Sequence, residues 1–214
     1  MNATNTSQNP SRKKPNYLPR NATVAVFMDY ENVFYGSMHN AQSFPNCQAM
    51  IDSAAEFGRI VHAVAICDWT RLSKGIPHVV QAGIEPVFAC HAMTAYNPAE
   101  GGGKEKYAGK QSSSDSHLYT KVFAFLMDHP DVEVYVIVSG DRDFSPMVYE
   151  LKRRGKFVIV MSEEVSLAWD LKAAANYYFT FQEIGALIPA PADPRFGKDS
   201  KTQTNGTSVP ETTK

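Results

Sequence analysis

Val134-Tyr135-Val136-Ile137-Val138-Ser139-Gly140-Asp141-Arg142-Asp143-Phe144 is an apolar run that ends in a serine, a glycine and two acids. Its apolar part shows no polar alternation, which is the pattern of a strand in a parallel sheet covered on both faces. In open sheets of that kind, ligands bind beyond the carboxyl ends of the strands. Asp141 and Asp143 fall at that position.

A second stretch ends in the same way. Residues 23–28 are apolar and run into Asp29-Tyr30-Glu31-Asn32. Further strands are expected over residues 59–66, 84–90, 157–161 and, as a short last one, 177–181. Helices are expected over 46–57, in part over 72–82 with Pro77 able to break it, and over 114–127, 146–154 and 165–175. Pro146 just inside a helix start and Gly155 just past its end suit the usual asymmetry of helix ends. Alternation of strands and helices predicts an α/β fold, a three-layer α/β/α sandwich around a mostly parallel sheet. No internal repeat is visible.

The expected domain spans residues 23–189. Residues 1–22 and 190–214 are polar and rich in Asn, Thr, Ser and Pro. Such composition buries too little apolar surface to offset chain entropy, so both read as disordered tails. The 214 residues suffice for one well-buried domain, and the net charge of −1 excludes a strongly basic chain. Any surface for a polyanion must be local. Cys47, Cys67 and Cys90 are far apart and form no CxxC pair, which fits reduced thiols in a cytoplasmic protein. The six histidines lack zinc-ligand spacing. No apolar run is long enough for a membrane span, and the polar start lacks the apolar core of a signal peptide.

If the strands ending at Asp29 and Asp141 are neighbours, their carboxyl ends meet at the topological switch point of the sheet. Asp115, in the first turn of the helix that precedes the second of them, can approach from the side. Two carboxylates about 4 Å apart repel by roughly 4 kcal/mol at an effective dielectric near 20. Protonation of one acid or a divalent cation relieves that repulsion. All-oxygen ligands suit Mg²⁺ or Mn²⁺. The competing reading is structural, because an Asp after a strand is also a common helix cap or turn former. For Asp143 in particular, capping of the next helix stands beside metal binding. Asp68, at the end of another strand, reads as peripheral.

Residues 93–113 have the composition of a long loop, with three consecutive glycines, Tyr96, Lys104, Lys106, Tyr107 and Lys110. Loops of this length are functional or disordered. Arg71, Lys74, Lys104, Lys106, Lys110 and Arg142 are the candidate substrate contacts. Basic residues interleaved with aromatics suit a single nucleic-acid strand; a solvated loop is the alternative.

Val26-Phe27-Met28-Asp29-Tyr30-Glu31-Asn32 resembles the opening D-x-x-N motif of the NYN family, PIN-like nuclease domains that include LabA-type proteins. Ser139-Gly140-Asp141-Arg142-Asp143-Phe144 is similar to that family's S-G-D-x-D-F. The resemblance continues through Pro146-Met147-Val148 and covers about residues 23–181. It implies a PIN-like sheet with the five main strands in the order 3-2-1-4-5. It further implies Mg²⁺- or Mn²⁺-dependent cleavage of single-stranded RNA. Asp29, Asp115, Asp141 and Asp143 would be catalytic and metal-binding, with Asn32 and Ser139 orienting them. The middle motif departs from the family: the spacing from Lys110 to Asp115 is stretched, and Thr120 and Lys121 stand where a further acid is usual. A metal-dependent endoribonuclease is therefore expected, with an inactive RNA-binding or regulatory module as the alternative. Homodimerisation or a partner protein would direct such a chain to its target.

Overall fold

The computed structural model describes residues 18–19, 21–89 and 113–190. Six strands form a sheet: β1 (Thr23–Asp29), β3 (Arg59–Cys67), β4 (Glu85–Phe88), β5 (Val134–Val138), β6 (Phe157–Ser162) and β7 (Tyr177–Thr180). Their order is β4-β3-β1-β5-β6-β7 and every neighbouring pair is parallel. The five strands expected from sequence keep their neighbours, and β7 extends the sheet at one edge. A separate antiparallel pair, β2 (Ser43–Pro45) with β8 (Leu187–Pro189), ties the segment after helix α1 (Tyr30–Ala41) to the last strand.

The layers follow from alternation along the central strands. Val24, Val26 and Met28 of β1, with Val134, Val136 and Val138 of β5, face one side. There they meet helices α1 (Tyr30–Ala41), α2 (Cys47–Ala55) and α3 (Ile76–Gln81) through Tyr30, Val33, Met50, Ala54 and Val79. Ala25, Phe27, Tyr135 and Ile137 face the other side. That side is covered by α4 (Ser113–Asp128), α5 (Ser145–Arg153) and α6 (Trp169–Ala174) through Leu118, Val122, Met147, Val148, Leu151 and Leu171. A strand buried on both faces tolerates no polar alternation, which is why β5 reads as an unbroken apolar run.

Tyr135 lies fully buried and stacks on Phe27, with ring centroids 5.9 Å apart, yet its hydroxyl has no hydrogen-bond partner among the described residues. A buried hydroxyl left unpaired costs about 1–3 kcal/mol. Tyr135→Phe is therefore expected to raise unfolding stability by about 1 kcal/mol, seen as a higher urea midpoint at unchanged slope.

Three expectations are corrected. Pro77 does not break a helix: it occupies the first turn of α3, where its missing N–H costs nothing, after a short 3₁₀ turn at Ser73–Gly75. The expected helix over 165–175 is confined to α6. The Glu163 carboxylate accepts from the Val165 and Ser166 amides at 2.9 and 3.1 Å, and the Ala168 amide donates to the Gly140 carbonyl. Amides spent in this way hold 163–168 as a turn. Residues 30–41 form helix α1, capped by Asp29. Leu18 and Ala22, within the stretch read as a polar tail, pack on the core. Among the described residues no helix is long and apolar enough to cross a membrane.

Candidate active site

The sheet order reverses at β1, which pairs with β3 on one side and β5 on the other. Met28 is level with Val138, so Asp29 and Ser139 emerge side by side at the carboxyl edge. Asp29 ends β1 and caps α1, its carboxylate accepting from the Asn32 amide at 3.3 Å. Asn32 in turn accepts, through Oδ1, from the Gly140 amide at 2.9 Å. This residue therefore couples the two strand ends: its backbone orients Asp29 and its side chain holds the turn that carries Asp141.

Ser139 Oγ accepts from the Asp141 amide at 3.2 Å. The Asp141 carboxylate accepts from the Asp143 amide at 2.9 Å and caps a 3₁₀ turn, Arg142–Phe144. Gly140 is required by close approach: a Cβ there would collide with the Ser166 carbonyl and come within 2.6 Å of Ser162 Oγ. Asp143 does not cap α5, which begins at Ser145 with Phe144 in the cap position and no side-chain cap; its carboxylate is exposed at the rim. Its carbonyl accepts from the Tyr119 hydroxyl at 2.6 Å, joining this turn to α4. Asp115 lies half-buried in the first turn of α4.

Electrostatics link these groups. Burial raises the Asp29 carboxyl to about 7, the Asn32 amide opposes the rise, and the charges of Asp115, Glu31 and Asp141 add to it. Burial also raises Asp115, helped by Asp141, Asp143 and Glu31, with a hydrogen bond from Ser114 opposing. The charged neighbours that shift both residues most are all carboxylates. Glu31 is thus a fifth acid of the cluster that sequence reasoning passed over; it also accepts from the Asp68 amide at 3.0 Å. Its signal was an acid in the first turn of a helix capped by Asp29, a position that also favours negative charge at a helix start. Asp68 uses its own carboxylate on the amide and hydroxyl of Thr70 and is peripheral.

The acids are hard oxygen donors in a partly dry place, which suits Mg²⁺ or Mn²⁺. They are not a finished cage: among the described residues no three His, Cys, Asp or Glu side chains stand close enough to hold an ion as placed. Asp29 and Asp141 each have a carboxylate oxygen turned back onto a local amide.

Arg71, Lys74 and Arg142 are exposed. The first two follow the carboxyl end of β3, and Arg142 follows β5. Lys104, Lys106 and Lys110, with Tyr96 and Tyr107, lie outside the described residues. The basic group at the end of α5 is structural: Arg153 and Arg154 each pair with Glu150 at 2.7 Å, and Lys152 donates to the Ala174 carbonyl.

An α/β sheet with acids gathered at its switch point belongs to the class of open parallel folds that bind ligands at the carboxyl ends of their strands. Residues 23–184 match the NYN domain, and the chain belongs to that family. Among solved structures it is similar to a protein of unknown function from Vibrio parahaemolyticus, with a TM-score of 0.61 and 20% identity. That match covers 78% of this chain and 97% of the other, and it shows the shared fold. A Klebsiella pneumoniae NAD binding oxidoreductase also matches, at 14% identity over 77% of this chain and 35% of that one. Its TM-score of 0.31 is too low to carry any argument. No curated protein matches.

Proposed function

We propose that the chain is a PIN-like, LabA-type endoribonuclease that hydrolyses single-stranded RNA with Mg²⁺ or Mn²⁺ at the carboxylate cluster. The observation that carries this reading is the gathering of acids at one sheet edge, where burial first and neighbouring carboxylates second raise both Asp29 and Asp115. Such crowding costs stability unless positive charge arrives, and family membership makes nuclease chemistry the economical explanation. Asp29, Asp115, Asp141 and Asp143 are the residues that would hold the ion. When bound, a divalent ion supplies Lewis-acid activation of the phosphodiester.

The chain's own contributions are positional and electrostatic. Asp29, raised to about 7, is partly protonated at neutral pH and must release that proton for its carboxylate to act as a ligand. Asn32 and Ser139 hold the backbone of the Asp141 turn through the Gly140 and Asp141 amides. Arg71, Lys74 and Arg142 are cations at the same edge, suited to RNA phosphates. A non-catalytic RNA-binding module is the second reading, favoured by carboxylates that do not yet converge on one point.

The test is cleavage of a single-stranded RNA by purified protein in Mn²⁺, Mg²⁺ or chelator. The nuclease reading expects metal-dependent cleavage that falls at least roughly 100-fold in Asp141→Asn, because even groups behind the ligands are worth 10–100-fold. Unchanged cleavage in that variant would remove Asp141 from the site. RNA binding without metal-stimulated cleavage would favour the second reading.

A further inference from the structure

The turn that carries Asp141 and Asp143 borders a cleft that extends beyond the carboxylate cluster toward α5 and α6. Arg142, Asp143, Ser145, Pro146, Tyr149 and Asp170 line an open cleft of about 430 Å³. Its floor is firmly built. Phe144 is fully buried, the Ser145 hydroxyl donates to the Arg142 carbonyl at 2.7 Å, and Tyr119 holds the Asp143 carbonyl. These bonds occupy the backbone of the turn and leave the Arg142 and Asp143 side chains exposed.

Tyr149 stands one helical turn beyond Ser145 and is 56% exposed. Among the described residues its ring stacks on no other, and Arg142 has no ion pair. A free aromatic face, a free guanidinium and two carboxylates in one cleft restrict what fits. Two acids against one cation disfavour a free phosphate or another dianion. A flat ring with N–H donors suits every wall: its face has Tyr149 for stacking, and its edge has a carboxylate to accept from it.

We infer that this cleft is a nucleobase subsite for a nucleotide next to the cleaved phosphate. The base stacks on Tyr149, its N–H edge meets Asp170, and Arg142 takes a phosphate of the same strand. The inference rests on the ribonuclease reading and specifies how single-stranded RNA is held. Stacking on an aromatic side chain is sequence-tolerant, so this subsite selects unpaired strands over duplexes.

The experiment measures binding of a fluorescently labelled single-stranded RNA octamer in chelator, across a range of salt, with Tyr149→Ala, Tyr149→Phe and Arg142→Gln. Tyr149 is a surface residue, so these changes leave the core intact. The expected result is a roughly 5- to 150-fold loss of affinity for Tyr149→Ala that persists at every salt concentration. Tyr149→Phe restores binding, and Arg142→Gln flattens the salt dependence by about one phosphate's worth. Wild-type affinity in Tyr149→Ala, or a wild type that does not bind the octamer, overturns the subsite. Adding Mn²⁺ to the same samples separates the two readings. Binding through Tyr149 without cleavage overturns the nuclease and keeps the subsite. Cleavage with an unchanged KM in Tyr149→Ala does the reverse.

Discussion

Asp29→Asn is expected to abolish RNA cleavage and, at pH 8 in chelator, to make the protein more stable. Both effects have one origin. Asp29 is 3% exposed and its carboxyl is raised from 3.8 to about 7, chiefly by burial, with carboxylate neighbours adding. Below the ordinary carboxylate range it is protonated in folded and unfolded chains alike, and no cost arises. As pH climbs toward 7 the unfolded chain releases the proton first, so stability falls. Above about 7 the full cost is present, on the order of 4 kcal/mol. Asn removes that cost and keeps the cap, because its side-chain oxygen can still accept from the Asn32 amide. Thermal unfolding should therefore show a gain of up to about 4 kcal/mol at pH 8 that vanishes near pH 4. Cleavage by the same variant should fall at least roughly 100-fold. A destabilised variant at pH 8 would contradict the electrostatic account of the site.

Asn32→Ala is expected to damage both stability and activity. The side chain accepts from the Gly140 amide, and Gly140 is buried against the 163–168 turn. An amide left there without a partner costs about 1–3 kcal/mol. The Asp141 turn loses its link to β1, and an outer-shell loss of this kind lowers activity about 10- to 100-fold. The decisive comparison is Asn32→Asp, which keeps the acceptor but adds a charge beside Asp29 and Asp141. It should fold near wild type at pH 5 and lose stability as pH rises. Urea midpoints at two pH values distinguish a lost hydrogen bond from an added charge.

Much of this arrangement was legible in the sequence because it follows short-range rules. Unbroken apolar runs at residues 24–28 and 134–138 mark strands buried on both faces, and an acid within three residues of each end, Asp29 and Asp141, marks the carboxyl edge. The side-by-side placement of β1 and β5 came from the family resemblance, since strand order is a long-range property that no local pattern encodes. What stayed hidden depends on side chains meeting across the fold. Glu31 joins the cluster only because α1 starts at the switch point. Residues 165–168 read as the start of a helix but are held in a turn by the Glu163 carboxylate. For the acids, capping and a role in the cluster were posed as alternatives, yet Asp29 and Asp141 combine them. The amides they cap fix the carboxylates in place.

The chain belongs to the NYN family, and its carboxylates crowd one edge of the sheet. The most direct test is calorimetric titration of Mn²⁺ into wild type and Asp29→Asn at pH 6 and pH 8. The account predicts that wild type binds more tightly at pH 8 than at pH 6, releasing a proton at the lower pH. It predicts weak binding by Asp29→Asn, with no proton release from position 29. Equal Mn²⁺ binding by the two proteins at both pH values would contradict it.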